Sequence, residues 1–367
     1  MPFARSRLLA PQRPCVSPSG RAPVRSAVAR SRLALGAGAG LFLALSVALG
    51  VSVETVKPEW RDPEYGHRLN RVREWQAERP ERPLVLVFGS SRAQMGVSPA
   101  AMGFPDAPGE PLVYNFGYRA GSPLVSWFLL ARALDDGVKP RAVLLVASFS
   151  EARVSMTAEE QFRPWMTRLS GADLRRLAPF AADPGALREG VWGARRNPLA
   201  AHWGALASDL RCPIQDGEAV ERWSWEKMDA HGFVRFPVES LGARERESLV
   251  AKALAQVAAT DGAPGAVSDR AIRALVARCR AERIAVAVTW SPEAPWLRER
   301  YTANAQEGMA AYTLMLRDEL GVPVFPAPGH LEGADFVDGY HLAPNGATKY
   351  SRWLADTYLR PWLSGIQ

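Results

Sequence analysis

The chain has 367 residues, 47% of them hydrophobic, with 45 basic against 38 acidic side chains. That apolar share supports a sizeable buried core and excludes a wholly disordered chain. The basic excess is local: Arg5, Arg7, Arg13, Arg21, Arg25, Arg30 and Arg32 fall in residues 1–32, which hold no Lys, Asp or Glu, so 38 basic and 38 acidic side chains remain from residue 54 onward. A neutral body behind a basic tail argues against a nucleic-acid partner.

Residues Leu33–Val53 form a 21-residue uncharged run, long enough to cross a bilayer as a helix. Arginines on its N-terminal side predict a cytoplasmic tail (1–32), a transmembrane signal-anchor (33–53) and an exported body, periplasmic or extracellular. A cleaved signal peptide is the alternative; the basic stretch is long for that role, and Ala48-Leu49-Gly50 is a poor cleavage site. Residues 54–82 carry prolines and many charges, which predicts a juxtamembrane linker with a short helix near 67–79.

Leu84–Phe88 is a continuous apolar run of the kind buried on both faces of a parallel sheet. Pro111–Asn115 predicts a second strand, 123–136 a helix and Arg141–Ala147 a third strand. Strand–helix–strand at this spacing marks crossover units of a parallel sheet. From about 151 to 260 the pattern turns mostly helical, rich in Arg, Pro and Trp (Trp165, Trp192, Trp203, Trp223 and Trp225), with Gly232–Phe236 its nearest approach to a strand. These tryptophans either stack on sugar rings or serve core and interface. The α/β pattern resumes with a helix at Ser268–Arg283, a strand at Ile284–Thr289, a helix at about 299–320, a strand at Val322–Phe325 and a helix at about 344–358. The expected fold is α/β: a three-layer α/β/α sandwich on a parallel five-stranded sheet over residues 83–360, with the helical insertion, and a tail at 361–367.

Cys15 lies in the tail, and Cys212 and Cys279 lie in the exported part. There a disulfide and two buried free thiols are both open. No Cys-x-x-Cys or His-rich spacing holds a metal, no cofactor is implied, and His67, His202, His231 and His330 have no motif around them.

Ligands bind at the carboxyl ends of the strands in such a sheet. Ser91 follows the first strand, and Asp338 and His341 follow the fifth. An Asp three residues before a His can fix one imidazole nitrogen while the other takes a proton from a hydroxyl nucleophile. Glu293 and Arg298 follow the fourth strand; a surface pairing is the expectation for them, and lining a cleft the alternative.

The order Ser…Asp…His, with the last two three apart, resembles the SGNH (GDSL-type) hydrolases. Gly89-Ser90-Ser91 stands where that family usually has Gly-Asp-Ser, Tyr114–Gly121 resembles its second block, and Asp338-Gly339-Tyr340-His341 its fifth. Gly-Ser-Ser behind an N-terminal anchor is similar to a bacterial sub-branch active on envelope polymers, in D-alanylation of lipoteichoic acid and O-acetylation of exopolysaccharides. The resemblance covers roughly 83–150 and 268–360. It implies Ser91 as nucleophile, His341 as general base and Asp338 as its orienting partner. The N–H groups of Ser91 and Gly121 would bind the oxyanion, with Ala120 as the alternative to Gly121. The family's Gly-x-Asn-Asp block is absent; Ser148-Phe149-Ser150-Glu151 stands there, leaving Ser150 or Arg92 to replace the Asn. Arg92, Asn115 and Ser150 are the candidate substrate-binding residues. The implied reaction is ester hydrolysis or acyl transfer on an acylated glycan or envelope polymer, with a membrane acyl-donor protein as a further partner. A non-catalytic, glycan-binding or scaffolding role is the alternative.

Overall fold

The computed structural model describes residues 24–56, 58–153, 156–209, 227–238, 242–259 and 265–366. Most of the basic tail with Cys15, and Cys212, Trp223 and Trp225, lie outside the described residues, and so does any Cys212–Cys279 bridge. The chain divides into two compact units, Met1–Gly50 and Val51–Gln367.

Helix α1 (Val24–Thr55) contains, over Val28–Thr55, the one span among the described residues long and apolar enough to cross a membrane. Leu33, Leu35, Leu41 and Leu43 stand uncovered along it. Such a helix suits a membrane span and a signal sequence alike.

In the larger unit, β1 (Leu84–Gly89), β2 (Leu112–Asn115), β3 (Ala142–Ala147), β4 (Ala285–Trp290) and β5 (Val324–Phe325) form one parallel sheet in the order β2-β1-β3-β4-β5. The two-residue alternation of a strand sorts its side chains. Leu84, Leu86 and Phe88 join one core cluster with Val143, Leu145 and Ala147, while Val85 and Val87 join another with Ala142, Leu144 and Val146. On the first face lie α2 (Pro63–Glu78), α4 (Pro123–Asp135), α11 (Ala266–Ala281) and α13 (Ala303–Asp318). On the second lie α3 (Ser91–Gly96), α10 (Ala243–Ala258) and α14 (Pro344–Leu354). The result is the expected α/β architecture with helices on both faces.

The insertion contributes α5 (Phe149–Arg153), α6 (Ala158–Phe162), α7 (Gly171–Leu177), α8 (Pro184–Ala194) and α9 (Pro198–Asp209) before α10. Residues 232–236 make an isolated antiparallel bridge, Met228 to Val234, in place of a strand. The expected helix at 299–320 is present as α13; a short helix, α12 (Pro295–Arg298), precedes it, and Thr302 starts α13 by accepting the Ala305 N–H on its hydroxyl. At the C-terminus a π-helical turn, Ala355–Leu359, carries α14 into α15 (Arg360–Ser364), so helix extends into the expected tail.

The clearest difference from the sequence reading is residues 54–82. The short helix expected near 67–79 is present as α2, but it begins at Pro63, capped by Asp62, and packs into the first core through Tyr65, Leu69, Val72 and Trp75 instead of lying in a linker. Arg68 and Glu64 within it, and Asp62 at its cap, are charges buried with partners, whereas Arg73, Glu74 and Glu78 are exposed. Arg68 is fully buried; it donates to the Asn115 carbonyl (2.6 Å) and to Glu64 one turn earlier (3.1 Å), and Gln94 donates to the same Glu64 oxygen. Burial raises the Glu64 carboxyl above its usual range, with Arg68 opposing. Asp62 takes hydrogen bonds from Arg132 (2.6 Å) and the Tyr118 hydroxyl; burial alone would raise it, yet Arg132 and Arg168 hold it below the usual carboxylate range.

Candidate active site

Three residues in a row place Ser91. Gly89 closes β1 at φ +154°, where an added Cβ would meet the Val146 carbonyl at 2.6 Å, so a side chain is excluded by backbone. Ser90 then caps α3, its hydroxyl accepting from the Arg92 N–H. Serine and aspartate are comparable caps, which accounts for Ser at a position where Asp is usual in the resembling family. Ser91 is therefore the first residue of α3, at the carboxyl end of β1.

The other half is a loop built on one carboxylate. Asp338 is 1% exposed, and its Oδ1 accepts from the N–H groups of Tyr340 (3.2 Å) and His341 (2.8 Å). Oδ2 lies 2.7 Å from His341 Nδ1. Gly339 makes the reversal at φ +100°, packed so close to Trp296 that a Cβ would sit 2.7 Å from that ring. With Nδ1 held by Asp338, His341 Nε2 meets Ser91 Oγ at 2.8 Å, across 250 residues of sequence. Both distances lie within hydrogen-bond range, so the three side chains form a continuous relay. With Nδ1–H donating to the carboxylate, Nε2 is the acceptor for the serine proton.

The walls of the site differ from expectation at five residues. Gly121 N–H is spent on the Tyr118 carbonyl (2.9 Å), closing a turn with Ala120 at φ +51°, and is unavailable to an oxyanion. Asn115 is fully buried: its amide donates to the carbonyls of Ala93 (2.7 Å) and Val97 (2.6 Å), and its oxygen accepts from Gly117 N–H. It fastens α3 to β2 and faces no cleft.

Arg92, expected to face substrate, is 4% exposed and spans the carboxyl end of the sheet. It donates to Glu293 after β4 (2.7 Å), to Ser150 after β3 (2.8 Å) and to Gln256 on α10 (3.3 Å), pairs with Glu151 at 3.4 Å, and lies over the Tyr340 ring at 4.3 Å. Ser150, whose hydroxyl also exchanges with Ser148, is consumed in the same cluster. Glu293 is thus a buried partner (side chain 10% exposed), not a surface one. Arg298 is exposed, as expected. Among the tryptophans, Trp165 is core against Phe162 and Tyr118, whereas Trp192 and Trp203 are exposed.

Three neighbours of the triad had been given no role from the sequence. Phe236, from the insertion, has its ring centroid 5.4 Å from that of His341, and Tyr340 flanks the same imidazole at 4.5 Å. Glu151 sits where Arg92, Ser90 and His341 all act on it; burial raises its carboxyl above the usual range, opposed first by Arg92. Its position four residues beyond β3, at the same sheet end as Ser91, was the available signal. The chain matches no protein-family model and no curated protein.

Proposed function

We propose that the chain is a membrane-anchored serine esterase or O-acyltransferase of the SGNH type, working outside the cytoplasm on an acyl ester of a cell-envelope glycan or related polymer. The observation that carries this is the relay Ser91 Oγ–His341 Nε2, His341 Nδ1–Asp338 Oδ2, at 2.8 and 2.7 Å. The doubly wound sheet, with its nucleophile after β1 and its Asp-x-x-His loop after β5, supports the SGNH part of the reading. The apolar α1 behind a basic tail supports the anchor.

In this reading Ser91 Oγ attacks the ester carbonyl while His341 Nε2 takes its proton. Asp338 stabilises the imidazolium through Nδ1–H, and the Ser91 N–H, at the first position of α3, donates to the oxyanion. Collapse expels the alcohol, which receives the proton from His341, and leaves an acyl ester on Ser91. Water or a glycan hydroxyl then gives its proton to His341, attacks the acyl carbon and returns Ser91 to its free form. Hydrolysis and transfer differ only in that acceptor.

A second reading has its own support. The side chains that would replace the absent Asn of the third block, Arg92 and Ser150, are bound to each other, and Gly121 N–H is occupied. A fold kept for binding a glycan or scaffolding an assembly tolerates that loss of oxyanion donors. Turnover of p-nitrophenyl acetate by the purified protein, beside Ser91→Ala and His341→Ala, separates the two. Esterase activity lost in both variants supports catalysis. Equal inertness of three folded proteins toward this ester and toward acylated glycan supports the binding role.

A further inference from the structure

A cavity of about 810 Å³ opens beside the Arg92–Glu293 pair, at the carboxyl ends of β4 and β5, and the triad has no residue in it. One wall is a single stripe of α13: Ala305, Met309, Ala310, Thr313, Leu314 and Arg317. From Ala305 to Arg317 at 1.5 Å per residue, that wall is about 18 Å long. The facing wall is apolar, from Phe149, Trp290, Tyr301, Val324 and Pro326. The space is therefore an elongated trough, shaped for a chain rather than for a compact ring system.

Besides Ser291, Glu293 and Thr313, its lining carries Arg298, Glu299, Gln306 and Arg317. Trp290 Nε1 is satisfied by Thr313 (3.1 Å), and Tyr301 donates to Glu293 (3.0 Å). Ser291 is 7% exposed and lines the cavity, yet its hydroxyl has no hydrogen-bond partner among the described residues. A buried hydroxyl left unpaired is unfavourable unless a ligand or water meets it. On the apolar side, Leu314 projects 55% exposed from the helix that forms the wall.

We infer that this trough binds one linear fatty-acyl chain, with the Ser291 hydroxyl donating to the carbonyl of its head. Glu293, whose charge is paired with Arg92 at 2.7 Å, also lines the cavity, as do Arg298 and Arg317. The site is separate from the reacting serine, and Glu293 joins it to Arg92 and thereby to the helix bearing Ser91. The inference stands on the cavity and Ser291, whatever Ser91 does.

The test is photolabelling of the full chain in phosphatidylcholine nanodiscs with methyl dodecanoate carrying a terminal diazirine, mapped by peptide mass spectrometry. Labelling is expected within residues 290–327, suppressed at least tenfold by excess methyl dodecanoate. Leu314→Asp and Ala310→Trp, both at exposed positions, reduce it at least tenfold. Ser291→Ala weakens it by up to about tenfold, the fold-change of one hydrogen bond. Ser91→Ala leaves it intact, so failure of the esterase reading and failure of this one remain distinguishable. Labelling confined to α1, undiminished in Leu314→Asp and Ala310→Trp, or absent altogether overturns the inference.

Discussion

Replacing Arg92 by methionine tests whether this residue holds the site together or faces substrate. Its side chain is 3% exposed, and its strongest partner, Glu293, is 10% exposed. Removing one member of a buried ion pair leaves the other charge without compensation, at about 3–5 kcal/mol. Here the substitution leaves Glu293 with the Tyr301 hydroxyl among the described residues and also removes a partner of Glu151 and Ser150. Glu293→Gln is milder, about 1.5–3 kcal/mol, since Arg92 keeps Glu151. A double-mutant cycle between the two, measured by urea unfolding, should give a coupling of about 1–3 kcal/mol. If Arg92→Met costs less than about 1 kcal/mol, the guanidinium is not a structural hub and the reasoning that removed it from the substrate cleft fails.

Asp338→Asn should lower ester turnover about 10⁴-fold with the fold intact, because an amide at Nδ1 no longer fixes the imidazole tautomer; a loss under tenfold would make the carboxylate dispensable to the relay. Gly89→Ala should lower the melting temperature far more than Gly137→Ala. Both glycines have positive φ (+154° and +88°), but only at Gly89 does the new methyl meet backbone, 2.6 Å from the Val146 carbonyl, while nothing lies within 4 Å at Gly137. Equal shifts would refute the clash. His202 is buried, and burial first, then Arg195 and Arg61, pushes its imidazole down to about 4 from the usual 6.5. The unfolded chain then binds the extra proton, so the His202 contribution is whole above pH 6.5 and lost as pH falls toward 4. His202→Gln should narrow the difference in melting temperature between pH 7 and pH 5; an unchanged difference would contradict a neutral buried His202.

The parts legible in the sequence were those specified by short, local patterns. The apolar run at 84–88 carries its own burial on both faces, and the spacing from Asp338 to His341 dictates that one carboxylate can hold both the loop and the ring. Ser91 was legible because a strand, a glycine and a cap precede it. What was not legible depends on partners distant in sequence. Arg68 and Asp62 read as charges of a linker and Arg92 as facing substrate because polarity is a property of one residue, whereas their burial is a property of pairs 47, 70 and 201 positions apart. For the same reason 54–82 read as a linker, and Phe236, in a segment without regular periodicity, gave no sign of reaching His341. Gly121 failed as an oxyanion donor through its own turn: the bond to Tyr118 is set by the backbone angle at Ala120, which the sequence does not disclose.

The central claim is that Ser91 is a nucleophile activated by His341. The most direct measurement is labelling of the full chain with a fluorophosphonate probe, with the modified residue identified by peptide mass spectrometry. The account predicts one equivalent of label on Ser91, abolished in Ser91→Ala and reduced at least a hundredfold in His341→Ala. A folded protein that stays unlabelled, or that labels elsewhere at the same rate in all three forms, contradicts it.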